Sequence, residues 1–327
     1  MAGSGSGPLN EIGFGTWAWG NQLIWDYNPP EDDERLAATF NQALRSGLRL
    51  IDTADSYGTG RLNGRSELLL GEFIEAQPEH LRRGLMVATK LAPFPWRLGR
   101  RGLERAFHAS RKRLKGHLNR VQLHWSTARY APWQEVDLLD GLADLVEQGL
   151  VAELGVSNVG PQRLAWMQSR LAERNLSLRS VQVQCSLLAP DDLVLQELLQ
   201  QCEALGIEVL AYSPLAFGVL SCPPGSESEP TTWLRRRLYR RLLPASLNLR
   251  RTMNAIAISR GVSMVQVALN WCRANGSTPI PGIRTPEQAQ DVASALTWTL
   301  TPEEKRSLDL ERKNCRERMP ANPFQSR

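Results

Sequence analysis

The stretch Leu48-Arg-Leu-Ile-Asp52-Thr-Ala-Asp-Ser-Tyr57-Gly58 opens as a short apolar, strand-like run and ends on an acid and a phenol. Two later runs end in the same manner: Leu85-Met-Val-Ala-Thr-Lys90 in a base, and Val121-Gln-Leu-His124 in an imidazole. They recur roughly every 35 residues, the span of one strand–helix–strand unit. If the runs are parallel neighbours, the four groups converge at one end of a sheet.

The rest of the chain repeats the unit. Strand-like runs fall at 12–16, 48–52, 85–90, 120–124, 152–157, 181–184, 207–212 and 278–280. Amphipathic stretches lie between them at 31–46, 65–75, 103–114, 138–148, 161–173, 193–205, 253–260 with 263–274, and 286–295. Parallel strands need long crossovers, usually helical, so the alternation argues for βα units. Eight of them predict a (β/α)8 TIM barrel formed by one domain over 1–327. Residues 1–8 read as a flexible start. About 65 residues separate the last two strands, a length typical of a lid or binding loop. The polar tail over 311–327, with Pro320 and Pro323, is expected to be either a loose end or a strap across the barrel mouth.

Composition bounds the function. The 327 residues are 42% apolar and 22% charged, and the net charge is +5. No apolar run approaches the roughly 20 residues that span a bilayer, and the N-terminus lacks a signal peptide's basic and apolar segments. Cytoplasmic placement follows as the expectation. Five widely spaced cysteines without a Cys-x-x-Cys argue against a disulfide framework and against a thiolate metal site. Cys185, Cys202 and Cys272 read as core residues. Basic stretches at 97–120 and 234–251 carry leucines at near-helical spacing, so they read as solvated helix faces and not as nucleic-acid sites; a basic site for one phosphorylated small molecule would explain the basicity equally well.

In a parallel barrel the carboxyl ends of the strands form the active site. Here those ends carry Asp52 and Tyr57, Lys90, His124, Ser157-Asn158, Gln184 and Tyr212-Ser213. Each alone has an ordinary reading as a turn residue, surface charge or satisfied core histidine. Turns favour Gly, Asn, Asp and Ser, so Lys, His and Tyr recurring there point to chemistry. An ammonium within reach of a phenol favours the phenolate, and a carboxylate keeps that ammonium charged. The spacing therefore predicts a relay of Asp52, Lys90 and Tyr57, with Tyr57 as proton donor. His124 is expected to hold the substrate oxygen or to share in the transfer. A phenol that protonates an oxygen suits reduction of a carbonyl.

These segments resemble the aldo-keto reductase family, over nearly the whole chain from Gly13-Phe-Gly-Thr-Trp17 to about residue 300. The resemblance rests on Asp52-Thr-Ala-Asp-Ser-Tyr-Gly58 with Ser66-Glu67, Ala88-Thr-Lys90, Gln122-Leu-His-Trp125, Gly155-Val-Ser-Asn158, Tyr212-Ser-Pro-Leu215 and Pro281-Gly-Ile-Arg284. The segment 52–67 and Leu123-His-Trp-Ser-Thr127 are similar to the plant-chloroplast and cyanobacterial branch with pyridoxal reductase-like members. The resemblance implies a TIM barrel, NADPH as cofactor and a small carbonyl compound as substrate, with Asp52, Tyr57, Lys90 and His124 catalytic. It implies that Ser157, Asn158 and Gln184 hold the nicotinamide carboxamide and that Tyr212 stacks on its ring. Leu215 and Gly218 would approach the pyrophosphate, Arg284 the 2′-phosphate, and Gln288 and Asp291 the adenosine end. Thr16, Trp17, Ser213 and Gly282 complete the implied cofactor set. Val292 stands where relatives usually carry an asparagine near the adenine. Trp19, Trp25, Trp96 and Trp125 are candidate pocket walls or core residues.

Three other readings compete. Gly58-Thr-Gly60-Arg-Leu-Asn-Gly64 lacks the spacing of a dinucleotide fingerprint. Lys90 as a Schiff-base nucleophile would give an aldolase. A barrel that binds NADPH without turnover would be a regulatory subunit.

Overall fold

Eight short strands pair in sequence order, each parallel to the next: β1 (Phe14–Gly15), β2 (Leu50–Asp52), β3 (Met86–Leu91), β4 (Arg120–Leu123), β5 (Glu153–Ser157), β6 (Ser180–Gln184), β7 (Glu208–Tyr212) and β8 (Ser277–Pro279). The circle closes where the amides of Gly13 and Gly15 donate to the carbonyls of Pro279 and Pro281, at 3.0 and 2.9 Å, and Gly15 bridges to Gly282. This is the expected (β/α)8 barrel. The computed structural model describes residues 11–190 and 192–326, so the flexible start expected for 1–8 lies outside the described residues.

The helices are α1 (Gln22–Trp25), α2 (Glu31–Arg45), α3 (Arg65–Glu75), α4 (Glu79–Arg82), α5 (Gly99–Arg113), α6 (Pro132–Glu147), α7 (Pro161–Ala172), α8 (Asp192–Leu205), α9 (Trp233–Ala245), α10 (Leu247–Arg260), α11 (Met264–Ala274), α12 (Pro286–Ser294) and α13 (Pro302–Asn314). Their apolar faces pack on the outside of the strands. Phe107, Leu138 and Leu142 lie in one cluster with Val121, Leu123 and Val156, and Phe40 and Leu70 in another with Phe14, Ile51 and Val87. Inside the barrel the filling is partly polar. Gly155 makes room for it, because a Cβ there would meet Ser180 Oγ at 2.5 Å and Gln122 Cγ at 2.9 Å.

Several boundaries differ from the sequence expectation. Helices α5 and α6 begin four and six residues earlier, and Pro132 supplies the first turn of α6, where no amide hydrogen is needed. The basic stretch before residue 251 is α9 and the start of α10, as its leucine spacing suggested. Helix α13 overlaps the expected tail and sets its true start at residue 315. It opens on a capping box, Thr301 with Glu304. Four of the nine Lys and Arg residues in the other stretch form ion pairs, Arg97 with Asp55 among them. Arg113 pairs with Glu67 and Arg100 with Asp140, while the buried Arg120 bridges Glu153 and Glu208.

Candidate active site

The strand ends bring Asp52 and Lys90 into one buried pair, only 2% and 1% exposed. Lys90 Nζ donates to Asp52 Oδ2 at 2.5 Å and to the Thr53 carbonyl at 2.8 Å. The other carboxylate oxygen accepts from Gln122 at 3.2 Å and Gln182 at 2.7 Å. Burial pulls the Lys90 pKa down, and Asp52 opposes that pull. Both Asp52 oxygens have partners and Lys90 Nζ has two acceptors, the kind of compensation a buried pair needs to endure. Gln122 and Gln182 were not anticipated; alternation on β4 and β6, which points them inward, was the available signal.

Tyr57 lies over this pair, with Lys90 Nζ 4.9 Å from its ring centroid. His124 meets the same ring edge-on at 5.9 Å. Tyr57 and His124 line a cleft of about 740 Å³ at the barrel mouth, whereas Lys90 is sealed behind them. That seal removes the ground for a Lys90 Schiff base. One expectation is reversed. Burial, followed by the charges of Asp52 and Asp55, holds the Tyr57 phenol well above its ordinary pKa. Tyr57 is therefore a protonated phenol. Burial, then Lys90 and Arg97, keeps His124 well below its usual pKa, so the imidazole is neutral. Ser56 Oγ lies 3.3 Å from its Nδ1.

Asp55 supports the same loop from behind. Its carboxylate pairs with Arg97 and accepts from the Ala92 amide at 3.2 Å. Burial outweighs the Arg97 charge and pushes the Asp55 pKa up to about 6. A carboxyl raised in the fold binds its proton more tightly there than in the unfolded chain, so it favours folding as pH falls from about 6 toward about 4. The stability of the wild type relative to Asp55→Asn is expected to rise on the order of 3 kcal/mol across that interval and to be flat above pH ~7. Urea unfolding of both proteins over pH checks this; a pH-independent difference would contradict it.

Gly58 fits a tight turn and not a phosphate cradle, since a Cβ there would meet the Leu62 carbonyl oxygen at 1.8 Å. Of the expected cofactor set, Trp17, Ser157, Asn158, Gln184, Tyr212, Ser213, Leu215, Gly218, Gly282, Arg284, Gln288 and Asp291 all line the cleft. Thr16 does not. It is fully buried, with its hydroxyl between the Asp52 carbonyl and Ser66 Oγ, which makes it a support for the Asp52 strand end. The Asp291 carboxylate is held by Ser263 and Gln266, and Gln288 accepts from the Arg284 amide. Val292 is buried at the same end. Among the tryptophans, Trp25 and Trp125 line the cleft, Trp19 is core, and the 71% exposed Trp96 stacks on Phe94.

Two contributors came from outside the expected set. Arg235 of α9 enters the cleft and lies over the Trp25 ring at 4.5 Å, and Arg284 approaches the same ring at 6.0 Å. Neither forms an ion pair among the described residues. The tail is a strap, not a loose end: residues 319–324 line the cleft, and Phe324 stacks on Trp125 at 4.4 Å. Among the described residues no helix is long and apolar enough to cross a membrane.

The chain is similar to known proteins along nearly its whole length. The model of the Aldo/keto reductase family matches residues 11–310. The chain is 46% identical to "Pyridoxal reductase, chloroplastic" of Arabidopsis thaliana, over 98% of this chain and 88% of the relative. Among solved structures it superposes on the glycerol dehydrogenase of Gluconobacter oxydans with a TM-score of 0.75 at 25% identity, covering 95% and 94% of the two chains. An aldo-keto reductase of Klebsiella pneumoniae in complex with NADPH gives 0.71 at 25%, covering 96% and 94%. A barrel whose strand ends carry this set of side chains, matched along nearly its whole length, belongs to the aldo/keto reductase family.

Proposed function

We propose that this protein reduces an aldehyde or ketone to an alcohol with NADPH, and that Tyr57 is the general acid. The observation that carries this reading is a protonated, half-buried phenol beside a neutral imidazole on one cleft wall, with an ammonium fixed beneath the ring. A reduced nicotinamide supplies hydride to the carbonyl carbon when bound. The chain's own part is to hold the carbonyl oxygen between Tyr57 and His124 and to give it the Tyr57 proton. Lys90 then lies 4.9 Å from the ring centroid, where its charge stabilises the phenolate as it forms. Asp52 fixes Lys90 and moves no proton itself.

The cleft fits the cofactor. Gly218 has a φ of +98°, and a Cβ there would meet Tyr239 Oη at 2.6 Å, so the backbone at this turn is bare of side chain. Burial, then the neighbouring Arg35, depresses the Arg284 pKa, so a bound anion would offset the cost of keeping this cation out of water. A planar guanidinium suits a phosphate monoester. Arg284→Ala is therefore expected to weaken NADPH about 10- to 100-fold and NADH by less than about 3-fold. Fluorescence titration of both nucleotides checks this; equal losses would remove the 2′-phosphate role.

Trp125, on which Phe324 stacks, gives the substrate end a flat aromatic wall, and pyridoxal, which the name of one relative carries, is one candidate. An NADPH-oxidation screen across aldehydes that includes pyridoxal tests the reading. We also read the protein as one domain working in the cytoplasm.

A further inference from the structure

Asn158 stands where the cofactor's nicotinamide amide would bond, and its side chain is already saturated. A primary amide offers two hydrogens and two acceptor positions. Asn158 Nδ2 donates to the His124 carbonyl at 3.0 Å and to Ser157 Oγ at 3.1 Å. Its Oδ1 accepts from Tyr212 Oη at 2.8 Å and from Asn322 Nδ2 at 3.0 Å. Three of these partners stand on the ends of β4, β5 and β7; the fourth stands on the tail.

Asn322 is also an amide, and its second hydrogen goes to Tyr212 Oη at 2.9 Å. A carboxamide thus already sits on the pair of residues, Asn158 and Tyr212, that the cofactor reading gives to a nicotinamide. The tail carrying it is held locally. Met319 N donates to the Leu188 carbonyl at 2.8 Å, Ser326 N to the Asn158 carbonyl at 3.0 Å, and Phe324 lies on Trp125. Further bonds hold the same segment: Arg241 donates to the Arg318 carbonyl at 2.7 Å, Arg318 to the Leu187 carbonyl at 3.1 Å and Gly160 N to Ser326 Oγ at 3.4 Å, so the strap gives way at Asn322 only to a ligand that replaces the bonds it loses.

We propose that Asn322 is a carboxamide placeholder, so that the strap and the nicotinamide compete for Asn158. The inference rests on the NADPH reading. Arrival of the ring frees Asn322, and with it the stacking of Phe324, two residues on, against the Trp125 wall. Opening of the carbonyl pocket is thereby tied to cofactor occupancy. A site closed by its own chain binds ligand with an affinity reduced by the closed fraction.

The test uses the full chain with NADPH and with 2′-phospho-ADP-ribose, which carries the phosphates but no nicotinamide. Asn322→Ala is expected to tighten NADPH about 3- to 10-fold, the scale of one neutral hydrogen bond, and to leave 2′-phospho-ADP-ribose unchanged. In the wild type, amide hydrogens of residues 319–326 are expected to exchange faster with NADPH and at the same rate with the truncated ligand. Unchanged or weaker NADPH binding by Asn322→Ala, or a tail more protected with NADPH, would overturn the inference alone. Failure of the wild type to bind either ligand would overturn the cofactor reading and this inference with it.

Discussion

Tyr57→Phe is expected to lower kcat for carbonyl reduction by about 10²- to 10⁴-fold, the usual contribution of a positioned acid. The dissociation constant for NADPH is expected to stay within about 2-fold, since the lost hydroxyl makes no hydrogen bond to the cofactor-binding residues and the ring still fills its place. The size of the effect follows from the geometry. Burial keeps the proton on Tyr57 until a carbonyl oxygen arrives, and Lys90 sits where negative charge would develop on the ring. His124 is neutral, and burial and the two nearby cations disfavour the imidazolium that would let it replace the phenol as proton source. Retention of a tenth or more of the wild-type kcat would assign the proton to another group. Single-turnover kinetics alongside cofactor titration separate the chemical step from binding.

Lys90→Met is expected to destabilise the fold by about 3–5 kcal/mol, the range found when one partner of a buried ion pair is removed. Methionine fills much of the same space, so the loss is electrostatic: the Asp52 carboxylate keeps Gln122 and Gln182 but is left without its cation. The double variant Lys90→Met with Asp52→Asn is expected to recover most of that loss, because no uncompensated charge then stays inside the barrel. Urea unfolding of the three proteins measures this coupling. A single variant within about 1 kcal/mol of the wild type would mean that water from the cleft, which Asp52 borders, takes the place of the lost cation.

The barrel was legible because its units repeat and because a parallel strand's carboxyl end is where a polar residue breaks an apolar run. Asp52, Lys90 and His124 are such breaks, and each lies at the mouth. What was not legible depended on direction and on distance along the chain. Gln122 and Gln182 are ordinary polar residues in a sequence; only the inward pleat of β4 and β6 makes them partners of Asp52. Thr16 lies one residue from the cleft-lining Trp17 yet turns into the wall. Asn322 lies 164 residues from Asn158, a separation no local pattern spans. The start of α13 was readable, since Thr301-Pro-Glu-Glu304 is a capping signature. The shift of Tyr57 could not be signed from proximity. Its direction is set first by burial and then by the charges of Asp52 and Asp55, and burial is not readable from spacing.

The reading of this barrel as a carbonyl reductase turns on electrons leaving NADPH. The purified protein should be mixed with NADPH and a panel of aldehydes and ketones that includes pyridoxal, while the near-ultraviolet absorbance of the reduced nicotinamide is followed. The expected result is oxidation that requires a carbonyl compound, forms the alcohol in equal amount and is lost in Tyr57→Phe. Tight binding of NADPH with no carbonyl-dependent oxidation by any member of the panel would contradict it.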